Sequence, residues 1–121
     1  MPQEEFNELF RQRTKQLALS TIKWYSNPQL RKIGEVRILG EQLIRSVTST
    51  AANYRAVCRA RSEAERFSKL CIVVEEADET TFWMEMFMAL EYVDTAGLKT
   101  LYEEAMIILK VMAKTRKNLK N

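Results

Sequence analysis

Four arginines, Arg37, Arg45, Arg55 and Arg59, are the residues of this 121-residue chain best equipped for chemistry. At 100° per residue they fall inside an arc of about 80° on one helix, away from its apolar stripe. A guanidinium is a planar fork that donates two parallel hydrogen bonds, so it matches a phosphate or a carboxylate equally well. Two readings therefore stay open. The four can track along the phosphates of a nucleic acid, or they can pair with acids of a neighbouring helix, within a subunit or across an interface. The acids are at hand: residues 75–94 carry Glu75, Glu76, Asp78, Glu79, Glu85, Glu91 and Asp94 with no Lys or Arg among them.

Other chemistries lack parts. The chain has no histidine, which removes Ser-His-Asp and Cys-His arrangements, and no Gly-rich phosphate loop, so an enzyme is not expected. Glu75 and Glu79 stand four apart on one helix face. Dimetal sites in helical bundles add a Glu-x-x-His element on two helices, absent here, so these acids read as solvated or arginine-paired, and no metal or cofactor is expected. Cys58 and Cys71 have no metal-ligand spacing and read as reduced, small core residues of a cytosolic protein. Arg13 lies on an apolar stripe and reads as a guanidinium snorkelling past the helix edge, with an ion pair to another helix as the alternative. Lys99, Lys110, Lys114 and Lys117, joined by Glu103, share one side of a helix and read as a solvated face, to which Arg116 and Lys120 add charge.

The elements that carry these groups are helical. Apolar residues make up 46% of the chain and charged residues 29%, with three glycines and two prolines, a composition of little turn chemistry and much helix potential. The length fits a single domain, 1–121. A first helix spans 4–26, opened by Glu4, Glu5 and Glu8 and stopped at Asn27-Pro28, with Phe6, Leu9, Phe10, Leu17 and Trp24 on its apolar face. A linker, 27–34, follows. The second helix, 35–61, aligns Val36, Leu39, Leu43, Val47, Tyr54 and Cys58. Ser62 then opens a capping box with Glu65 and starts a third helix that runs to about 93 on a stripe of Phe67, Leu70, Cys71, Val74, Ala77, Thr81, Met84 and Met88. Asp94–Gly97 breaks the chain, and Leu98 to Met112 carry the fourth helix toward a basic tail. Short connections imply antiparallel neighbours, hence an all-α, up-down-up-down four-helix bundle. No apolar run approaches the ~20 residues of a membrane span and no signal peptide is visible, so a soluble, cytoplasmic protein without a membrane partner is expected.

The third helix is apolar on a second side as well. Ile72, Trp83, Met86 and Leu90 project within roughly 60° of each other, away from the core stripe. A four-helix monomer would leave them wet, so homo-oligomerisation through them is expected. The alternative is that the bundle turns the helix inward and buries both faces itself.

Across the second and third helices, Gly40-x-Gln42-Leu43-x-Arg45-Ser46, Ser49, Ala52-Asn53, Arg59-Ala60-x-Ser62, Phe67-x-Lys69-Leu70 and Glu75-Glu76-Ala77-x-Glu79-Thr80-x-x-Trp83 resemble the bacterial four-helix-bundle family of intervening-sequence proteins. These are encoded in insertions within large-subunit ribosomal RNA genes. The family is similar in fold to the accessory protein of diversity-generating retroelements, a barrel-shaped homopentamer with a basic surface that binds nucleic acid and a reverse transcriptase. The resemblance thus implies a homopentamer of antiparallel bundles without a settled enzymatic activity. Its implied partners are further copies of itself, RNA or DNA, and a reverse transcriptase where one is encoded nearby.

A net charge of +3 does not by itself declare a nucleic-acid partner, so the arginine surface has to carry that argument. The leading expectation is a non-catalytic, oligomeric binder of structured RNA or other nucleic acid. The alternative is a protein-interaction scaffold whose arginines are structural.

Overall fold

The computed structural model describes residues 1–119, all of its regular structure helical. Four long helices form the bundle: α1 (Gln3–Tyr25), α3 (Gly34–Cys58), α4 (Glu63–Ala89) and α5 (Leu98–Leu119). The remaining helix, α2 (Pro28–Arg31), is a single turn inside the segment expected to be a plain linker. Its cause is local: the Asn27 side chain accepts from the Gln29 amide at 3.0 Å, and Pro28 supplies a first helical residue with φ already set. Asn27-Pro28 therefore both ends α1 and starts α2, which plants Leu30 in the core at 4% exposure.

The other boundaries follow their caps. Ser62 Oγ accepts from the Glu65 amide at 3.0 Å, as a capping box requires, while the Glu65 carboxylate reaches Arg61 at 3.5 Å. α3 stops at Cys58 rather than 61, leaving residues 59–62 to turn the chain. α4 ends at Ala89 rather than near 93. The loop that follows is fixed by Asp94, which accepts from the Ala96 amide at 3.0 Å, and by Gly97, whose φ of 87° is natural to glycine. The Trp24 indole donates to the Ala96 carbonyl at 3.0 Å and ties α1 to this loop.

Around the bundle the order is α1, α3, α4, α5, with α3 against α4 the most extensive contact and α1 against α5 the least among these neighbours. Every neighbouring pair is antiparallel. Arg13 meets Glu104 while Trp24 meets Ala96, and Arg45 meets Glu76 and Glu79 while Glu35 meets Tyr92. The Arg13–Glu104 pair is bidentate, at 2.8 and 2.6 Å. Arg13 is thus an interhelical partner and not the snorkelling residue expected, because α5 places a carboxylate where the stripe leaves the core.

One core joins all five helices. Leu43, Leu70, Met84, Leu98, Ile108 and Met112 are each no more than 1% exposed, and burial of side chains this size contributes ~1.5–3 kcal/mol apiece. At mid-height the packing narrows to Thr14, Thr50, Ala77, Thr80 and Ala105, which leave no room for a water molecule. The buried hydroxyls are satisfied locally: Thr14 donates to the Phe10 carbonyl, Thr50 to that of Ser46, and Thr80 to that of Glu76. Small side chains let the helices close, and hydroxyls returned to their own helix cost little.

α4 is rotated relative to the stripe read from sequence. Val73, Thr80 and Phe87 are in the core at 0–1% exposure, whereas Phe67, Cys71 and Met88 are half-buried. The turn is toward α3, its closest neighbour, and Thr80 seals that contact with a hydrogen bond to Ser46 Oγ at 3.1 Å. At one end of the bundle Tyr25 covers Gly40 so closely that a Cβ there would lie 2.1 Å from the ring. Tyr25 and Trp24 both meet Phe87 edge-on, at 6.3 and 5.2 Å between ring centres.

Candidate nucleic-acid interface

The four arginines do not share one environment. α3 lies between α1 and α4, and the arc that holds the arginines straddles the ridge between those neighbours. Arg45 falls on the α4 side, where it bonds Glu76 at 3.2 Å and also Glu79. Arg37 donates to the Arg31 carbonyl at 3.3 Å, closing the α2–α3 corner. Arg55 and Arg59 are exposed, and the described residues hold no acid paired with either. The acid-pairing reading therefore describes Arg45, and the free-cation reading Arg55 and Arg59.

Arg55 stands on the rim of a groove of about 400 Å³ between α1 and α3. Ala51 and Ala52 on α3 and Ala18, Leu19 and Ile22 on α1 form its apolar lining, and Arg11 and Lys15 complete the basic rim. Leu19 and Ile22 remain 43% and 36% exposed. Arg11 is engaged by Glu8 through Nε at 3.0 Å and Nη2 at 2.6 Å, which holds the Glu8 carboxyl below its usual range. Lys15 is exposed and appears in no ion pair among the described residues. Sequence reading missed Arg11 and Lys15 as members of this surface. Their spacing of four on α1 is a signal, but only the α1–α3 contact brings them beside Arg55.

The second apolar side of α4 is also divided. Ile72, Trp83 and Leu90 are half-buried, the last two against the protein's own core, while Met86 is 38% exposed. Phe82, absent from the set drawn from sequence, is 48% exposed and meets Trp83 at 4.9 Å, with the rings steeply inclined. The Trp83 indole N–H is buried with no acceptor among the described residues. Glu85 on this face accepts from the Tyr102 hydroxyl at 2.6 Å, which raises the phenol pKa.

The remaining candidates are quieter. Lys99, Lys110, Lys114 and Lys117 are exposed along α5, and Lys120 lies outside the described residues. Cys58 and Cys71 are free and half-buried, at the margin of the core rather than in it, because α4 is rotated and Cys58 is the last residue of α3. Among the described residues no cluster of His, Cys, Asp or Glu could hold a metal ion, and no helix is long and apolar enough to cross a membrane.

Fold and surface together define an antiparallel helical bundle with a basic groove along one flank and an acidic, aromatic face on another. Residues 8–114 match the family model of the 23S rRNA-intervening sequence protein, and the chain belongs to that family. A similar solved structure is the 1.70 Å crystal structure of a protein of unknown function from the S23 ribosomal protein family of Bacteroides thetaiotaomicron. It is 26% identical, with a TM-score of 0.78 over 92% of this chain and 97% of that one. Comparison with curated proteins gives no match.

Proposed function

We propose that this protein is a non-catalytic, homo-oligomeric binder of nucleic acid, structured RNA foremost, which meets phosphates along the α1–α3 flank through Arg55, Arg59 and Lys15. One observation carries the reading: on α3 the arginines facing α1 have no acidic partner among the described residues, while the one facing α4 is consumed by two. Unpaired guanidinium and ammonium groups beside an apolar groove can neutralise phosphates without first breaking an ion pair. A homopentamer is the assembly proposed, with Met86 and Phe82 as the exposed apolar anchors. A reverse transcriptase, where encoded nearby, is the proposed protein partner.

The test is a salt titration of binding to an RNA hairpin, followed by fluorescence anisotropy. Replacing Arg55 and Arg59 by Ala should shrink the log–log slope by roughly 0.7–0.9 per lost contact, and Arg45→Ala should leave it unchanged. Equal slopes for all variants, or no binding at low salt, would overturn the proposal. The second reading, a protein-interaction scaffold, is favoured by the two carboxylates on Arg45 and by the exposure of Phe82 and Met86. It predicts no nucleic acid in material purified at low salt.

A further inference from the structure

Where α3 turns into α4, the chain encloses a cavity of about 330 Å³, bordered by Asn7 of α1, Cys58 at the end of α3, Arg61 and Ser62 of the turn, and Glu63 and Arg66 of α4. Its size is at the lower end of the ~300–1,000 Å³ range of small-ligand clefts. Two polar atoms at this end of the bundle are buried without a partner among the described residues: Nε of Arg66 and the hydroxyl of Tyr54. Tyr54 is 1% exposed, and its hydroxyl lies near Cys58, one turn further on, and near Arg66, two of the residues that border the cavity. Orphaned buried groups of this kind are costly, at ~1–3 kcal/mol each, and are uncommon.

Both orphans are donors. Asn7, 7% exposed, has its Oδ1 occupied by the Gln3 amide at 2.7 Å, so the group it has left to offer is its NH2. The α4 N-terminus adds to the set. Ser62 caps the Glu65 amide, while the amides before it in the first turn have no intrahelical acceptor, and the helix dipole points its positive end at the cavity. Arg61 stands over the opening, 89% exposed and paired loosely with Glu65. Glu63, the acid of the lining, is exposed to solvent. A guanidinium, a phenol, a carboxamide and a helix N-terminus make a set of donors short of one acceptor with several oxygens.

We propose that this cavity binds a phosphate group, with Arg66 as the principal contact and the Tyr54 hydroxyl behind it. The site does not need the groove reading, since a free phosphate fills it as well as the terminal phosphate of a nucleic-acid strand. The donors serve either.

The experiment titrates the whole protein with inorganic phosphate, followed by 31P NMR and thermal melting against chloride at matched ionic strength. General salting effects of phosphate stabilise every variant alike, so the readout is the difference between variants. Arg66→Gln should weaken phosphate binding tenfold or more, and Tyr54→Phe by roughly threefold to tenfold, the range for a charged and a neutral hydrogen bond. Tyr54→Phe removes only a hydroxyl that has no partner, so without phosphate it should melt no lower than the wild type. That keeps the test clear of misfolding. If wild type, Arg66→Gln and Tyr54→Phe respond identically, the proposal fails. A second arm compares RNA oligomers with 5′-phosphate and 5′-hydroxyl ends: a preference for the phosphorylated strand, abolished by Arg66→Gln, makes a strand end the source. Saturation by inorganic phosphate without that preference makes it a small-molecule phosphate. A failure of Arg55 and Arg59 variants to alter RNA binding would overturn the groove and leave this pocket standing.

Discussion

The two flanks of α3 differ more than their sequence suggests. Toward α4 the helix is sealed: Ser46 bonds Thr80, Arg45 is clamped by Glu76 and Glu79, and Glu35 accepts from Tyr92. Toward α1 it is sealed only at the Gly40–Tyr25 end, then opens into a groove where Arg55 faces solvent beside Ala51 and Ala52. One helix and one residue type thus produce a structural cation on one side and an available cation on the other. The deciding factor is what the neighbouring helix presents, acids on α4 and cations on α1.

The largest expected effect is on bulk. Ser46 is 0% exposed between α3 and α4, so Ser46→Leu must push the helices apart and should cost about 1–3 kcal/mol. Ala52→Leu adds side-chain bulk on the groove side, where it has space, and should stay within ~0.5 kcal/mol. Urea denaturation followed by far-UV circular dichroism measures both. Similar losses for the two would mean that the groove is closed in solution and that the flanks do not differ.

The next effect is on charge. Arg45→Ala strands Glu76, whose side chain is only 16% exposed, yet Arg45 itself is 48% exposed and largely screened by solvent. The loss should be no more than about 1 kcal/mol, and a double-mutant cycle with Glu79→Gln should give a coupling of ~0.2–1 kcal/mol. Arg55→Ala, with no partner to strand, should be neutral to folding within ~0.5 kcal/mol. A larger cost for Arg55 than for Arg45 would reverse the assignment of structural and available cations.

Much of the fold is legible in the sequence because its signals are local. Asn27-Pro28, the Ser62 cap and Asp94–Gly97 each act within a turn of chain, and each breaks or starts a helix where it stands. What escapes is whatever depends on a neighbour. The wheel places Arg45 and Arg55 within about 80° of each other but carries no record of which helix stands at each edge of that arc. α4 carries apolar residues nearly all round, so its periodicity could not decide whether Val73, Thr80 and Phe87 or Phe67, Cys71 and Met88 face inward; the small-residue contact with α3 decides it. Arg11 and Lys15 reach the groove through tertiary contact alone, and Phe82 was overlooked because it lies just outside the arc of Met86.

The smallest effect offers the sharpest test, because it rebuilds the sealed flank on the open one. Ala52 lies on the groove three residues before Arg55. Ala52→Glu would set a carboxylate at the i,i+3 spacing that supports an ion pair on a helix surface, with its acid N-terminal to the base. Folding should then be unchanged or firmer by ~0.2–0.5 kcal/mol, a gain that shrinks in salt. RNA binding should move the other way. The new acid occupies Arg55 as Glu76 and Glu79 occupy Arg45, so the salt slope should fall by about the ~0.7–0.9 of one phosphate contact, and affinity with it. Ala52→Gln, equal in size and uncharged, separates the two causes: it should keep the slope if charge is what matters and lose it if the groove is merely blocked. Unaltered binding by Ala52→Glu would remove Arg55 from the interface, and the α1–α3 flank would have to be read, like its opposite, as structure.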